Sequence, residues 1–458
     1  MTGIRGLRVP IRVVVVGGGA GGIGAAGGVK QAAPDAEVTV FTEFEDVAYS
    51  PCGIPYVHGR EIDDFTSLFL ADKQAYVDAG IDIHYQTRVT SVDLDRRTVH
   101  VEGPDGEIGD IPYDRLIVAT GFDYADPGVP GTDLAGLYYV KNIRRAMEWD
   151  KVLDTVNRAV VVEASPLGLE MTTALAHRGI ETHLIDPRPW PLADVADPDI
   201  MAPVEESWAE MGVIMHFTTK LEGFLGNEAG SVRAVATSTG ELPCDLAVVC
   251  THKQPNNTLA RAAGLEIGST GGLIVDERME TSQSGVFGAG DCVELPHGVT
   301  WVPVQGLSGS HAYAQGKVAG VNAAGRERHY SPVYVPWAMV AGKWMIGGVS
   351  FGETLANALG IPYVAGMADG ISRARYYPGV RKTRVKLLGE PGSLRLIGAQ
   401  MVGGEGIKER ADFLAMAVRT GVTLEDLAWM ENVYSPPIGA LNEPIALAAQ
   451  NALSRLAS

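Results

Sequence analysis

A short β-branched apolar run, Val13 to Val16, stops at Gly17-Gly18-Gly19-Ala20-Gly21-Gly22 and gives way to a small-residue stretch, Ile23 to Gln31. A continuous apolar run of that length suits a strand buried on both faces, so the pattern predicts strand, glycine turn and helix. Val38 to Phe41 supplies a second strand, closing a βαβ unit in about thirty residues. The same order recurs further on: a strand over Arg158 to Val162, a helix over Leu167 to Arg178, and a strand from Glu181 to Ile185 that ends at Asp186. The chain therefore carries an internal duplication of architecture. Tyr113 to Ala119 reads as a buried strand followed by the turn Thr120-Gly121, and Gly285-Val286-Phe287 as a short strand leading into Gly288-Ala289-Gly290-Asp291. From about residue 331 the pattern changes. Strands over Arg384 to Leu388 and Leu394 to Val402 are joined by helices near 405–420 and 441–456, which predicts an α+β domain. The fold class expected is α/β, with two Rossmann-like units, residues 1–125 with 272–330 and residues 126–271, and a third domain over 331–458.

Composition narrows the picture. At 458 residues the chain needs two or three cores. A formal net charge of -18 repels a phosphate backbone, and no Lys/Arg run offsets it, so nucleic acid is excluded as a partner. No apolar stretch approaches the ~20 residues that cross a bilayer. The segment from Met1 to Val16 has three arginines but no apolar core with a cleavage site, so it reads as the approach to a strand rather than a leader. A soluble, cytoplasmic protein is expected. Four cysteines make no disulfide scaffold, none stands at metal-ligand spacing, and no metal is expected. Cys244 and Cys250 flank or end an apolar run and Cys292 follows a glycine-rich turn, and all three read as small buried hydrophobes. Cys52, in Tyr49-Ser50-Pro51-Cys52-Gly53-Ile54-Pro55-Tyr56, stands apart.

Gly17, Gly19 and Gly22 form a G-x-G-x-x-G turn, where missing side chains let backbone amides and a helix N-terminus approach a pyrophosphate. The turn alone is a weak signal, since glycines also occur in strand-to-helix turns that bind nothing. The βαβ spacing and an acid at the end of the second strand strengthen it. Position 42 is the expected place for an acid that accepts hydrogen bonds from a ribose, but it holds Thr42, with Glu43 next to it. One of the two takes that role.

The first loop, Ala119-Thr120-Gly121 and Gly288-Ala289-Gly290-Asp291, in that order, resemble the FAD-dependent pyridine-nucleotide disulfide oxidoreductases over essentially the whole chain. The resemblance implies an FAD-binding first unit in which Asp291, after Gly290, holds the flavin ribityl chain, and a nicotinamide-binding second unit. It further implies that the third domain dimerises. A dithiol enzyme would have a second cysteine at the position of Val57. Its absence places the chain near the single-cysteine branch, which includes coenzyme A disulfide reductases, NADH oxidases and NADH peroxidases. In that branch the cysteine lies against the flavin, and as a thiolate Cys52 would attack disulfides or peroxides. Tyr376-Tyr377-Pro378-Gly379 and Tyr434-Ser435-Pro436-Pro437 match segments whose tyrosines reach the partner subunit's cysteine. Tyr434 and one of Tyr376 or Tyr377 then stand as proton donors to a leaving thiolate, or else only pack a homodimer interface.

The departures from the family are specific. Ala20 replaces the loop histidine of the oxidases and peroxidases, which favours the disulfide reductases. Against that, Lys30 is the only cation in the Gly28 to Gln31 stretch where coenzyme A phosphates would be held, and Pro51 replaces an asparagine. The second loop reads Glu163-Ala164-Ser165-Pro166-Leu167-Gly168, with two of three glycines gone, although Gly168 and Glu170 match the family's helix start. Asp186 is placed to take a ribose 2′-hydroxyl, which would favour NADH. His252 stands where glycine is usual. His58 reads as a filler, and His311 as the better functional candidate because its segment should border the flavin. The expected function is NAD(P)H-dependent reduction of a small disulfide or persulfide through FAD and Cys52. Two alternatives stay open: an FAD enzyme whose thiol acts on another sulfur compound or thioester without nicotinamide, and an NADH oxidase.

Overall fold

The structure, a computed structural model, describes residues 10–330 and 332–457. The first nine residues, read above as lacking a leader, lie outside the described residues. Contacts group the chain into two compact units. One holds the chain up to Ser50, Thr66–Ala125 and Lys253–Val333; the other holds Pro51–Phe65, Asp126–His252 and Tyr334 onward. Residues 253–271, expected with the second Rossmann-like unit, are thus grouped with the first, and the segment around Cys52 is grouped with the second.

The first unit is built on a five-stranded sheet in the order Val286–Gly288, Arg115–Val118, Arg12–Val16, Glu37–Phe41, Ile81–His84, every pair parallel. Val13 to Val16 are all buried, as a central parallel strand requires, and each side chain so buried contributes about 1.5–3 kcal/mol. The first helix spans Ala20–Ala32, starting three residues earlier than its sequence pattern because the glycines of the loop are already helical.

The second unit repeats the plan. Its parallel sheet runs Ile214–His216, Glu181–Ile185, Arg158–Val162, Leu246–Val249, Leu137–Tyr138, and the helix Pro166–His177 follows the Arg158–Val162 strand. The same unit contains an antiparallel sheet in the order Trp337–Ala341, Trp344–Val349, Leu396–Gly403, Lys382–Gly389, Val364–Ile371, with the helices Ile407–Thr420 and Pro444–Ala457.

One buried cation joins these two sheets. The Lys386 ammonium donates to Asp197 (3.1 Å), Asp199 (2.6 Å) and Glu353 (2.7 Å), while Asp197 also accepts from the amides of Glu353 and Thr354. Burial opposes the charge on Lys386, but the three carboxylates outweigh it and hold the ammonium above its ordinary pKa. Lys386→Met is expected to lower unfolding free energy by about 3–5 kcal/mol, because it strands Asp197, itself almost wholly buried. A denaturant midpoint equal to that of the wild type would refute this.

Candidate functional site

In the first unit the glycine loop takes its shape from contacts no side chain would survive. Gly17 has φ +111, and a β-carbon there would lie 2.2 Å from the Ala119 carbonyl oxygen; one on Gly22 would lie 1.9 Å from that of Gly17. A β-carbon on Gly19 meets no protein atom within 4 Å, and Gly19 caps the 13-residue helix without a side-chain hydrogen bond. Backbone amides, a helix N-terminus and open space at Gly19 make a cradle that fits a dinucleotide pyrophosphate. Ala20 begins the helix beside it.

Several of the other candidates pack against this loop: Thr42 against Gly18, Ala119 and Thr120 against Gly17, and Gly290 against Gly21. Thr42 is buried, its hydroxyl accepting from the Phe44 amide, whereas Glu43 exposes its carboxylate 3.8 Å from Arg88. Of the two, Thr42 is taken up in its own turn and Glu43 keeps its carboxylate exposed. Thr120 donates to the Asn256 carbonyl (2.6 Å), and Gly121, at φ +71, accepts from the Asn256 amide (2.9 Å). Gly290, at φ +87, donates its amide to Gln315 (2.9 Å). Asp291 beside it receives the Lys253 ammonium at 3.0 Å, and that ammonium also lies 4.4 Å from the Phe122 ring centre. Lys253 and Gln315 were missed in the sequence. Lys253 pairs with a residue 38 positions away, a separation that no local pattern marks. His311 bonds Ser308 (2.7 Å) at the start of the Gly309–Ala323 helix, and burial lowers its pKa. Lys30 is engaged by the carbonyls of Pro34 and Ala36, so it is tied to its own loop rather than presented to a phosphate.

In the second unit Cys52 is an exposed thiol in the 3-10 turn Pro51–Gly53, ahead of the five-residue helix Ile54–His58. The other three cysteines are buried, and burial raises each thiol pKa, that of Cys244 to about 12. Only Cys52 combines a thiol with access. The helix behind it is anchored by His58, wholly buried, which bonds Tyr138 (2.9 Å) and Asp150 (3.1 Å); Arg178 also bonds Asp150 (2.7 Å). Burial lowers the His58 pKa, and a neutral ring that fastens the helix is a structural role. Tyr56, four residues after Cys52, donates to Glu170 at 3.2 Å. Burial and then Glu170 push its phenol pKa well up, so the phenol keeps its proton.

The second glycine loop keeps backbone features of the first without two of its three glycines. The Glu163 amide donates to Ile185 at 2.9 Å as the Gly17 amide does to Phe41 at 2.8 Å, and a β-carbon on Gly168 would lie 2.0 Å from the Glu163 carbonyl oxygen. Glu163 adopts φ +72, a region glycine occupies without strain. Ser165 caps the helix, accepting from the Gly168 amide (3.2 Å) and donating to the Cys250 carbonyl (2.8 Å). Asp186, expected to face a ribose, is fully buried. It accepts from the Ala164 amide (2.6 Å) and from the Arg188 amide and guanidinium (2.7–2.8 Å). As it stands this loop does not fit a nicotinamide dinucleotide: its helix-end amide is capped and its acid is occupied.

Tyr376 and Tyr434 join hydroxyl to hydroxyl at 2.9 Å, and both are exposed; Tyr377 lies beneath Arg373. The Tyr376 bond holds the Tyr434 phenol above its ordinary pKa. Among the described residues no helix is long and apolar enough to cross a membrane.

The pyridine nucleotide-disulphide oxidoreductase pattern matches residues 11–324, and the dimerisation domain of the same family matches residues 336–444. An NADH oxidase of Methanocaldococcus jannaschii is 34% identical over 98% of this chain and 100% of its own length. An NAD(P)H coenzyme A polysulfide/persulfide reductase of Pyrococcus horikoshii is 30% identical over 96% of this chain and 98% of its own. Among solved structures, an NAD-dependent persulfide reductase from A. fulgidus superposes with a TM-score of 0.94 at 30% identity, over 98% of this chain and 84% of that one.

Proposed function

Because the chain belongs to the pyridine nucleotide-disulphide oxidoreductase family, whose members use FAD and NAD(P)H, we propose that this flavin oxidoreductase reduces a small disulfide or persulfide through Cys52. The observation that carries the proposal is the contrast among its cysteines: one exposed thiol, and three buried ones whose pKa values are raised. FAD, when bound, accepts a hydride and passes its two electrons on.

The chain's own residues do the rest. The loop Gly17 to Gly22 binds the pyrophosphate, Glu43 the ribose, and Asp291 the ribityl chain, with Lys253 balancing its charge. The Cys52 thiolate attacks one sulfur of the substrate, forming a mixed disulfide and expelling the other sulfur as a thiolate. Tyr434, paired with Tyr376, supplies a proton to that leaving thiolate. Two electrons and two protons then complete the cycle: the electrons cleave the mixed disulfide into the Cys52 thiolate and a second substrate thiolate, one proton converts that thiolate to the second thiol, and the other restores the Tyr434 phenol. The chain acts as a homodimer, supported by the dimerisation domain and by Trp429, Val433, Ile438 and Leu441, large apolar side chains exposed along one segment. A second copy of the chain covers them and brings each tyrosine pair to the other subunit's cysteine.

Oxygen as the electron acceptor is a second reading, favoured by the NADH oxidase relative. Anaerobic titration separates the two. NADH or NADPH should bleach the flavin absorbance, and coenzyme A disulfide or polysulfide added without oxygen should restore it with release of thiol or sulfide. Flavin that only oxygen reoxidises would overturn the sulfur reading.

A further inference from the structure

We infer that the second Rossmann-like unit does not hold the adenosine diphosphate half of a nicotinamide dinucleotide, so that reduced nicotinamide mononucleotide serves this enzyme as hydride donor as well as NADH or NADPH does. The inference rests on the reading that NAD(P)H reduces the flavin, and it follows from the misfit of the second loop.

The two loops compare position by position. In the first, Gly19 leaves the helix end without a side-chain cap, and Ala20, Gly21 and Gly22 each carry an amide there. In the second, the matching residues are Ser165 and then Pro166, Leu167 and Gly168. Pro166, at the first turn of its helix, has no N–H to give. The Gly168 amide donates to the Ser165 hydroxyl at 3.2 Å. Leu167 alone of the three keeps an amide to offer, whereas a helix end holds a pyrophosphate through several amides that converge on it.

The adenosine ribose is no better served. Asp186 is fully buried, and the Ala164 amide (2.6 Å) and the Arg188 guanidinium (2.8 Å) take up its oxygens. Arg188, whose charge a ribose 2′-phosphate would need, is bound by both Asp186 and Asp194. Neither a 2′-hydroxyl nor a 2′-phosphate meets an unengaged partner in this pair, so the pair does not distinguish NADH from NADPH.

The charge balance acts in the same direction. Glu163, Asp186 and Asp194 set three carboxyl groups against the one guanidinium of Arg188. Burial favours the neutral form of Glu163, but even with that carboxyl protonated Asp186 and Asp194 outnumber Arg188, and net negative charge opposes a pyrophosphate. Hydride transfer takes a proton and two electrons from the dihydronicotinamide ring to the flavin and leaves a nicotinamide cation; mononucleotide and dinucleotide share that ring. The adenylate half adds only grip, and this loop does not supply it.

Anaerobic bleaching of the FAD-loaded enzyme by reduced nicotinamide mononucleotide, NADH and NADPH tests this, with calorimetric titration of ADP as a readout independent of turnover. The three donors should half-saturate the bleaching rate within about threefold of one another, and ADP should not bind at up to about 5 mM. A held adenylate half would instead separate mononucleotide from dinucleotide by at least about 100-fold. The triple variant Glu163→Gly, Ser165→Gly, Pro166→Ala gives the second loop the amides of the first. It should bind ADP with a Kd below about 1 mM and favour NADH over the mononucleotide by about tenfold, with flavin content unchanged. Submillimolar binding of ADP to the wild type, or bleaching by NADH but not by the mononucleotide, overturns the inference and leaves the function standing. So does a triple variant that folds, keeps its flavin and gains no preference for NADH. Failure of all three donors to bleach the wild type overturns the nicotinamide reading together with the inference.

Discussion

Cys52→Ser is expected to abolish reduction of disulfide or persulfide, by at least about 100-fold, while FAD stays bound and still accepts electrons. A serine hydroxyl has nearly the shape of the thiol, but it does not ionise near neutral pH and forms no bond to sulfur that two electrons can cleave. None of the other cysteines can substitute, since all three are buried with raised pKa values. The measurement has two parts: anaerobic bleaching of the flavin by NAD(P)H, which should match the wild type, and release of thiol or sulfide, which should vanish. Turnover at the wild-type rate would remove Cys52 from the mechanism.

The second large effect concerns the flavin cradle, where two glycines of one motif should fail in different ways. Gly22→Val puts a β-carbon 1.9 Å from the Gly17 carbonyl oxygen, so the loop must shift and helix and strand must part. The protein should purify without flavin and with a lowered melting temperature. Gly19→Val meets no protein atom within 4 Å, so the apoprotein should melt as the wild-type apoprotein does, yet FAD affinity should fall because the side chain fills the space over the helix N-terminus. Flavin content and apoprotein melting temperature, measured on both variants, check this. Full flavin occupancy in Gly19→Val would show that the pyrophosphate does not lie there.

Much of this architecture was written in local pattern. The Arg158–Val162 strand falls where its apolar run places it, because a central parallel strand must be apolar on both faces, and the Glu181–Ile185 strand keeps its expected bounds with Thr182, Leu184 and Ile185 buried. The glycine spacing likewise located the first loop, while the second, with two of three glycines gone, was located by its strand, helix and strand order. What the sequence could not display was where polar side chains turn. Asp186 occupies the position of a ribose ligand, and only the fold shows that Arg188, two residues on, and the Ala164 amide consume its carboxylate. Lys253 with Asp291, and Lys386 with Asp197, are partners separated by 38 and 189 positions, and no periodicity encodes such pairings. His58 read as filler and is one, though its anchoring bonds to Tyr138 and Asp150 were invisible in the chain.

Lys386 also bears on how this chain can be cut and recombined. A fragment of residues 126–252 would keep Asp197 and lose the cation that neutralises it. A chimaera joined near residue 331 would need its imported domain to present a lysine at the register of Lys386. The boundary that is plainest in the sequence is therefore a poor place to exchange parts, and the two sheets on either side of it should open together in hydrogen exchange as one cooperative block.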